Sequence, residues 1–213
     1  AIASYDRALE IKPDFHQAWY NRGIALVNLG RDEEAIASYD RALEIKPDKH
    51  EAWNNRGIAL DDLGRYEEEI ASYDQALEIK PDFHQAWHNR GNALVNLGRY
   101  EEAIASHDRA LEFKPDDHYA WDNRGYALTC MGRYKDALES FDRAIKINSN
   151  YANAYYNKAV CYGLQNNVEL AIENLQRAIN LDVKYQDMAK TDQDFEQIRG
   201  DERFQRLLVN IDE

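Results

Sequence analysis

Five asparagines recur at intervals of 34 residues, and their side chains are the first candidates for a chemical role in this chain. A carboxamide carries both donors and acceptors, so a column of such groups can pair with the backbone amides of an extended peptide regardless of its sequence. The alternative is that each asparagine stabilises its own helix junction, or is inherited by duplication of a repeat. The asparagine column consists of Asn21, Asn55, Asn89, Asn123 and Asn157.

The residues beside the asparagine column change from one interval to the next, as expected of a recognition surface on a fixed scaffold. A helical wheel places them opposite Trp19 and its equivalents. Neutral drift of exposed residues would give the same variation. Together with the column, the predicted peptide-binding residues are Tyr20, Asn54, His88, Asn92, Tyr119, Asp122, Tyr126 and Tyr156.

Charge narrows the class of partner. The net charge of −13 and the pI of about 4.9 disfavour nucleic acid and anionic membranes, both of which reward clustered lysine and arginine. Acids beside the predicted tyrosines favour a peptide with basic and apolar side chains, unless these acids are merely solvated. The acids concerned are Glu51, Asp61, Asp62 and Asp122.

No residue pattern indicates catalysis or a bound metal. His84 and His88 have the spacing of metal ligands on a helix, but no third ligand accompanies them. Cys130 and Cys161 lack CxxC spacing, and Cys161 occupies a position that holds alanine in the other repeats, so we interpret it as a small core residue. Phosphate loops, nucleophile elbows and paired carboxylates are missing from the sequence. We expect a protein without catalytic activity, cofactor or metal.

The elements that position these residues follow from the same period. Tryptophans at 19, 53, 87 and 121 and a tyrosine at 155 mark an array of one repeated unit. Leu29-Gly30 predicts the end of a first helix, because glycine tolerates the left-handed conformation, and Pro47 ends a second helix. Asp48 is then expected to cap the next helix, as are its equivalents. We predict an all-α fold with the helix-pair units 16–49, 50–83, 84–117, 118–151 and 152–185.

The aromatic, Gly, Leu-Gly, Ala and Pro positions at this spacing resemble the tetratricopeptide repeat over residues 1–185. The resemblance implies a right-handed α-solenoid, a superhelix of antiparallel helix pairs whose first helices line a concave groove that holds peptides or partner proteins. The segments Asn-Arg-Gly and Leu-Gly-Arg-Tyr-Glu-Glu-Ala-Ile-Ala-Ser are similar to those of bacterial, especially cyanobacterial, members.

Two further features bear on the ligand of such a groove. The asparagine column is similar to the asparagine ladder in the repeats of O-linked N-acetylglucosamine transferase, which holds peptide backbones. A carboxylate clamp for chaperone C-termini would need lysine or arginine in the groove. The aligned positions 17, 51, 85, 119 and 153, and 20, 54, 88, 122 and 156, contain neither. We therefore do not expect chaperone tails to bind.

Both ends depart from the repeat. Residues 1–15 contain only the second helix of a truncated repeat, so we expect a fragment of a longer array and weak self-association through this uncovered helix. Residues 186–213 are predicted to form C-terminal capping helices similar to those that close many such arrays, with Asp201 as a helix cap. Their apolar stripe consists of Phe204, Leu207, Leu208 and Ile211.

The scaffold itself carries one anomaly. Glu69 stands where the other repeats have alanine, at a close crossing of two helices. A carboxylate there either reaches solvent, is buried at a cost of a few kcal/mol, or pairs with Arg56 or Arg90. The arginines at 22, 56, 90 and 124 are expected to be structural, with a packed stem and a head that reaches an acid or a carbonyl.

These observations predict a cytoplasmic, non-enzymatic scaffold that binds a partner protein or an extended peptide in its groove. The alternative is a regulatory or substrate-binding arm of a larger enzyme whose catalytic domain lies outside this chain. A third hypothesis is a purely architectural spacer. No apolar run approaches the roughly 18 residues of a membrane span, and no signal peptide opens the chain, although a removed leader is left open because Ala1 is not methionine.

Overall fold

The computed structural model describes residues 1–209, which form helices joined by short turns and contain no strand. They divide into a first unit, Ala1–Lys114, and a second unit that begins at Pro115. The first unit contains α1 (Ile2–Ile11), α2 (His16–Val27), α3 (Asp32–Ile45), α4 (His50–Asp61), α5 (Tyr66–Ile79), α6 (His84–Asn96) and α7 (Tyr100–Phe113). The second contains α8 (His118–Cys130), α9 (Tyr134–Ile147), α10 (Ala152–Leu164), α11 (Val168–Leu181), α12 (Lys184–Thr191), a 3-10 turn (Gln193–Phe195) and α13 (Glu202–Leu208).

The helices pack as consecutive pairs. In the first unit α2 packs on α3, α4 on α5 and α6 on α7, while α3 and α5 also contact the first helix of the next pair. In the second unit α8 packs on α9 and α10 on α11, and α9 contacts α10. First helices also touch their neighbours within a unit: α2 with α4, α4 with α6, and α8 with α10. This nearest-neighbour packing is the predicted all-α architecture of helix pairs.

The first four helix pairs cross closely because a glycine faces an aromatic ring. A Cβ at Gly23 would lie 2.5 Å from the ring Cε1 of Tyr39, so a larger residue does not fit. In the fifth pair the glycine is replaced by the larger Ala159 and the aromatic residue by the smaller Leu175. Both are fully buried. The other matched pairs are Gly57 with Tyr73, Gly91 with His107 and Gly125 with Phe141.

The turn between paired helices is the one that the sequence predicts. Gly30 has φ of 67°, in the left-handed region, and the backbone N–H of Arg31 donates to the carbonyl of Leu26 at 3.0 Å. Asn166 takes this conformation in the fifth pair, with φ of 55°. Leu29, before this glycine, lies beyond the end of α2 and is 64 % exposed.

The expected aspartate caps are not present. α4 begins at His50, so its N-cap residue is Lys49. Asp48 lies one residue too early and makes no cap hydrogen bond. The indole Nε1 of Trp53 instead donates to the carbonyl of Pro47 at 2.9 Å and ties the loop to the helix. The same indole bond joins Trp19 to Pro13, Trp87 to Pro81 and Trp121 to Pro115, so Asp14, Asp82 and Asp116 do not cap α2, α6 and α8 either. The tryptophan is therefore half-buried at the repeat junction.

Arginines connect successive repeats, as their predicted structural role requires. The Nε of Arg56 donates to Asp40 at 2.6 Å, and its Nη1 donates to the Ser72 hydroxyl at 2.7 Å. That hydroxyl in turn donates to the carbonyl of Glu68 at 2.9 Å. One side chain thus joins α3, α4 and α5. The equivalent bonds link Arg22 to Asp6 and Ser38, and Arg90 to Asp74 and Ser106.

Glu69 is buried rather than directed to solvent. It is 2 % exposed, and its Oε2 has no hydrogen-bond partner among residues 1–209. The alternative, pairing with Arg56 or Arg90, does not occur, because both guanidinium groups bind aspartate and serine instead. Burial and the nearby Asp61 carboxylate raise the pKa of Glu69 to about 8, and hydrogen bonding to Tyr73 offsets this only in part.

The C-terminal segment covers the last helix pair. Phe195 and Phe204 are fully buried against α10 and α11, and their ring centroids lie 5.3 Å apart. Asp201 caps α13 as expected, since its side chain accepts from the backbone N–H of Arg203 at 2.8 Å. Of the predicted stripe, Ile211 lies outside the described residues. No helix within residues 1–209 is both long and apolar enough to cross a membrane.

Candidate functional site

The asparagine column forms hydrogen bonds from one repeat to the one before it. The Nδ2 of Asn55 donates to the hydroxyl of Tyr20 at 3.1 Å, and the Nδ2 of Asn89 donates to the Oδ1 of Asn54 at 3.4 Å. In the second unit the Nδ2 of Asn157 donates to Asp122 at 3.1 Å. Each bond spans 35 residues and therefore joins two repeats. The junction it stabilises is that with the preceding repeat, and not the helix junction of its own repeat.

In Asn55, Asn89 and Asn157 this geometry leaves part of the carboxamide for a ligand. An asparagine has two N–H donors and two acceptor lone pairs, and the bond between repeats uses one donor. The half-buried amides of Asn21 and Asn123 lie at the same register on α2 and α8. The Oδ1 of Asn21 accepts from the Nε2 of Gln17 at 3.0 Å. Contact with a peptide backbone stays a prediction for this column.

Three predicted binding residues are buried instead of exposed. Asn54 is 6 % exposed, Asp122 is fully buried, and Tyr156 is 4 % exposed. They lie at one register of the repeat, where the first helix of the following repeat or the C-terminal segment covers them. The Tyr156 hydroxyl donates to the Asp192 carboxylate at 2.6 Å. In this conformation their role is internal, as partners of the next repeat.

Asp122 is the centre of the largest of these junctions. Its carboxylate accepts from the Nδ2 of Asn153 at 2.6 Å, from Asn157, and from the Tyr151 hydroxyl at 3.3 Å. Burial raises the pKa of Asp122 to about 6, and hydrogen bonds from its three neighbours hold it below what burial alone would give. The Tyr185 hydroxyl extends the network by donating to the Oδ1 of Asn153 at 3.1 Å.

Asp122 therefore does not act as an open acid toward a ligand, contrary to the sequence-based expectation, whereas the Glu51 side chain is 46 % exposed. Asp122 is enclosed, and the Glu51 carboxylate lies 3.8 Å from the Nζ of Lys49 and 3.5 Å from the Nδ1 of His50. Asp61 and Asp62 are exposed at the end of α4. Burial of Asp122 thus removes one acid from the predicted surface in the second unit, whereas the three acids of the first unit are at least partly accessible.

The remaining predicted residues are at least partly accessible. Tyr126 is 44 % exposed and Tyr119 is 53 % exposed. The Tyr119 ring packs at 4.0 Å from His118 and 5.3 Å from Tyr151, measured between centroids. Half-buried members in the first unit are Tyr20, His88 and Asn92. The Lys49 ammonium lies 4.3 Å from the centroid of the Tyr20 ring, and the His88 ring lies 5.6 Å from that of His107.

No cluster of three or more metal-ligating side chains occurs within residues 1–209. His88, whose spacing from His84 could suit a metal, instead makes an edge contact with His107. His107 is fully buried at the aromatic position that Tyr39 and Tyr73 occupy in other repeats. Its place in that series is visible in the sequence and identifies it as a core residue.

A pocket of about 790 Å³ lies within the second unit, between the first helices α8 and α10 and the C-terminal segment. Its size is within the range of known ligand pockets. We call it the second-unit pocket. Its walls include Tyr126, Cys130, Met131, Asn157, Val160, Leu164, Met188, Asp192 and Asp194. Of these residues, only Tyr126 and Asn157 were predicted to bind a peptide. Met188, Asp192 and Asp194 lie beyond the last repeat, and only the folded segment brings them to α10.

Models of tetratricopeptide repeats match successive parts of the chain. The models described as tetratricopeptide repeat match residues 16–49 and 84–117, residues 38–71, and residues 116–182, and one described as TPR repeat matches residues 1–30 and 60–98. Together these matches run from residue 1 to residue 182. No curated protein matches the chain significantly.

Solved structures resemble the fold. The structure of YrrB, described as a TPR protein with an unusual peptide-binding site, is 26 % identical, with a TM-score of 0.73 over 90 % of this chain and 100 % of that one. A structure of MamA is 21 % identical with a TM-score of 0.71, covering 79 % and 96 % of the two chains. MamA from Desulfovibrio magneticus RS-1 is 18 % identical, with a TM-score of 0.74 and coverage of 83 % and 97 %. The MamA likeness concerns the fold.

Proposed function

Because the chain belongs to the tetratricopeptide repeat family, we propose that it is a non-enzymatic interaction scaffold that binds an extended peptide of a partner protein. The binding surface is the first-helix face, defined as the accessible side of α2, α4 and α6 in the first unit and of α8 and α10 in the second. Stacked helix pairs commonly present such a surface to partners.

The observation that carries the proposal is the second-unit pocket on this face. It combines apolar walls with a few fixed polar groups, which is the composition of sites that bind by shape and orient by hydrogen bonds. The packed side of the same helices is uniform by contrast, with Ala120, Leu128 and Ala154 fully buried. The packed side of these helices is thus constant, whereas their accessible side varies and carries a pocket. Recognition of a partner requires this combination.

Three further observations support a peptide as the ligand. Tyr126 is exposed on the pocket rim, and tyrosines are enriched where proteins bind partners. The asparagine amides keep hydrogen-bonding capacity that suits a peptide backbone. YrrB, whose whole length aligns with this chain, is described as having a peptide-binding site.

Selection from a displayed random-peptide library tests the proposal directly. We expect wild-type protein to enrich peptides that bind in solution, and Tyr126→Ala to weaken them by about tenfold, or roughly 1.4 kcal/mol. Lys146→Ala, on the second helix α9, is the matched control and should leave affinity unchanged. Crosslinking then locates the bound peptide. Crosslinks confined to α9 and α11, or equal binding by both variants, would place recognition away from the first-helix face.

A further inference from the structure

We propose that the second-unit pocket selects peptides in which a bulky apolar residue adjoins a lysine or an arginine. This inference rests on the proposed function and names the class of peptide. The pocket would take the apolar side chain, and the acids at its rim would take the neighbouring cation.

The apolar part of the pocket is large enough to hold a side chain. Val160 and Leu164 on α10, Met131 after α8, and Met188 on α12 contribute to the walls. Methionine adapts its shape to different ligands, because its side chain is unbranched and polarisable. Met188 is 44 % exposed, so burying it and the ligand together would remove apolar surface from water.

The rim carries two neighbouring carboxylates. Asp192 is fixed, because its Oδ2 accepts from the Tyr156 hydroxyl at 2.6 Å and its Oδ1 accepts from the backbone N–H of Asp194 at 3.0 Å. Partial burial, with the charge of Asp192 as a second cause, raises the pKa of Asp194. Neither carboxylate forms an ion pair with a lysine or arginine of residues 1–209, and the Arg199 guanidinium, the neighbouring cation, binds the backbone carbonyl of Asp192 instead. A cationic ligand group would relieve the repulsion between the Asp192 and Asp194 carboxylates.

A peptide cation fits this site better than a metal ion does. Two carboxylates are few for a bound divalent cation, and no cluster of three His, Cys, Asp or Glu side chains that could hold a metal is found in the described part of the chain. The carboxylates also border an apolar pocket. A lysine or arginine beside a bulky apolar residue satisfies both parts at once.

The chain contains its own reporter for this site. Of its two cysteines, Cys130 is exposed and lines the pocket, whereas Cys161 is buried. Burial raises the pKa of the Cys161 thiol to about 11, so it reacts slowly with maleimides in the folded protein. Alkylation of Cys130 by N-ethylmaleimide, followed by mass spectrometry, therefore measures whether the pocket is occupied.

The probes are four synthetic alanine-framed peptides with Leu-Lys, Leu-Glu, Ala-Lys or Ala-Ala at the centre. We expect the Leu-Lys peptide to bind at least tenfold more tightly than the other three, and to slow alkylation of Cys130 at least tenfold at saturation. Equal affinities for the Leu-Lys and Leu-Glu peptides would overturn the proposal. Binding without protection of Cys130 would also overturn it, yet would leave the proposed peptide-binding function intact.

Asp194→Asn isolates the electrostatic part. Asp194 is exposed enough that this change should not impair folding, which a thermal melt verifies. We expect the preference for Leu-Lys over Leu-Glu to fall from tenfold or more to about twofold. Asp187→Asn removes the same charge from α12, where Asp187 pairs with Lys190 outside the pocket, and should preserve the preference. An equal loss in both variants would indicate long-range charge only, and would contradict recognition by Asp194.

Discussion

Two buried carboxylates, one in each unit, show how differently the same scaffold treats a charge. Asp122 is fully buried but accepts hydrogen bonds from Asn153, Asn157 and Tyr151. Glu69 is almost as buried, and one of its oxygens has no partner within residues 1–209. Burial raises both pKa values, to about 6 for Asp122 and about 8 for Glu69. Hydrogen-bond donors offset part of the rise at Asp122, whereas the Asp61 carboxylate adds to the rise at Glu69.

The register of the repeat explains the difference. Asp122 lies where other repeats place Tyr20 and Asn54, which also accept from the asparagine of the next repeat. Its carboxylate therefore enters a position already supplied with donors. Glu69 lies where Ala35 and Ala103 fill a helix crossing, a position that needs only a small apolar group. Asp122 therefore adds hydrogen bonds to a junction between repeats, whereas Glu69 places a carboxylate in an apolar core.

The largest expected effect comes from removing the paired acid. Asp122→Ala leaves the donors of Asn153, Asn157 and Tyr151 without their acceptor, and we expect a loss of about 3 kcal/mol in the free energy of unfolding. Asp122→Asn, which recreates the group at Asn54, is the matched control and should cost about 1 kcal/mol or less. Denaturant unfolding measures both. Two variants of equal stability would show that the network contributes little.

Removing the unpaired acid should have the opposite sign. Glu69→Ala restores the residue found in the other repeats and removes a buried group without a full set of partners. We expect the free energy of unfolding at pH 7 to rise by about 1–3 kcal/mol. Glu68→Ala, on the exposed side of the same helix, controls for helix propensity. A fall in stability for the Glu69 variant would mean that the carboxylate contributes favourable contacts in the folded state.

The pH dependence of stability distinguishes burial of charge from simple packing. A raised carboxyl pKa means that the folded state retains a proton that the unfolded state releases. The cost from Glu69 is therefore absent below the ordinary glutamate pKa of 4.5, grows as the pH rises, and is complete above about 8. Its slope is at most about 1.4 kcal/mol per pH unit.

Glu69→Gln should abolish that slope, so the stability difference between variant and wild type should grow from pH 5 to pH 8. The shift at Asp122, which has the same sign, should persist in the variant between about pH 4 and pH 6. Chemical unfolding at several pH values measures the difference. A difference that stays constant across this range would argue that Glu69 has an ordinary pKa.

The repeat period in the sequence predicted the helix pairs and the left-handed glycines, because both depend on local spacing. It did not predict which side of a first helix is covered. A helical wheel gives the direction of Asn54 and Tyr156, but the residues that bury them belong to the next repeat or to the C-terminal segment. The cap prediction at Asp48 was wrong because α4 begins at His50, which makes Lys49 the N-cap residue. The pocket acids escaped prediction because the period stops before them.

The smallest changes in stability should come from replacing asparagines of the column. Asn157 and Asn89 allow a charged acceptor to be compared with a neutral one. Asn157 donates to the carboxylate of Asp122, whereas Asn89 donates to the neutral amide of Asn54 over a longer distance, 3.4 Å. Hydrogen bonds to charged groups contribute about 1.5–3 kcal/mol and neutral ones about 0.5–1.5 kcal/mol. We expect Asn157→Ala to lower the free energy of unfolding by about 2 kcal/mol and Asn89→Ala by about 0.5–1 kcal/mol.

The pH at which these two variants are compared supplies their internal control. Below about pH 5 Asp122 is protonated, so the bond to Asn157 loses its charge and the cost of Asn157→Ala should approach that of Asn89→Ala. The cost of Asn89→Ala should not change with pH on this account, because Asn54 does not titrate. If the two costs are already equal at pH 7, the charge on Asp122 adds nothing to the junction, and the asparagine column acts as a uniform set of neutral links between repeats.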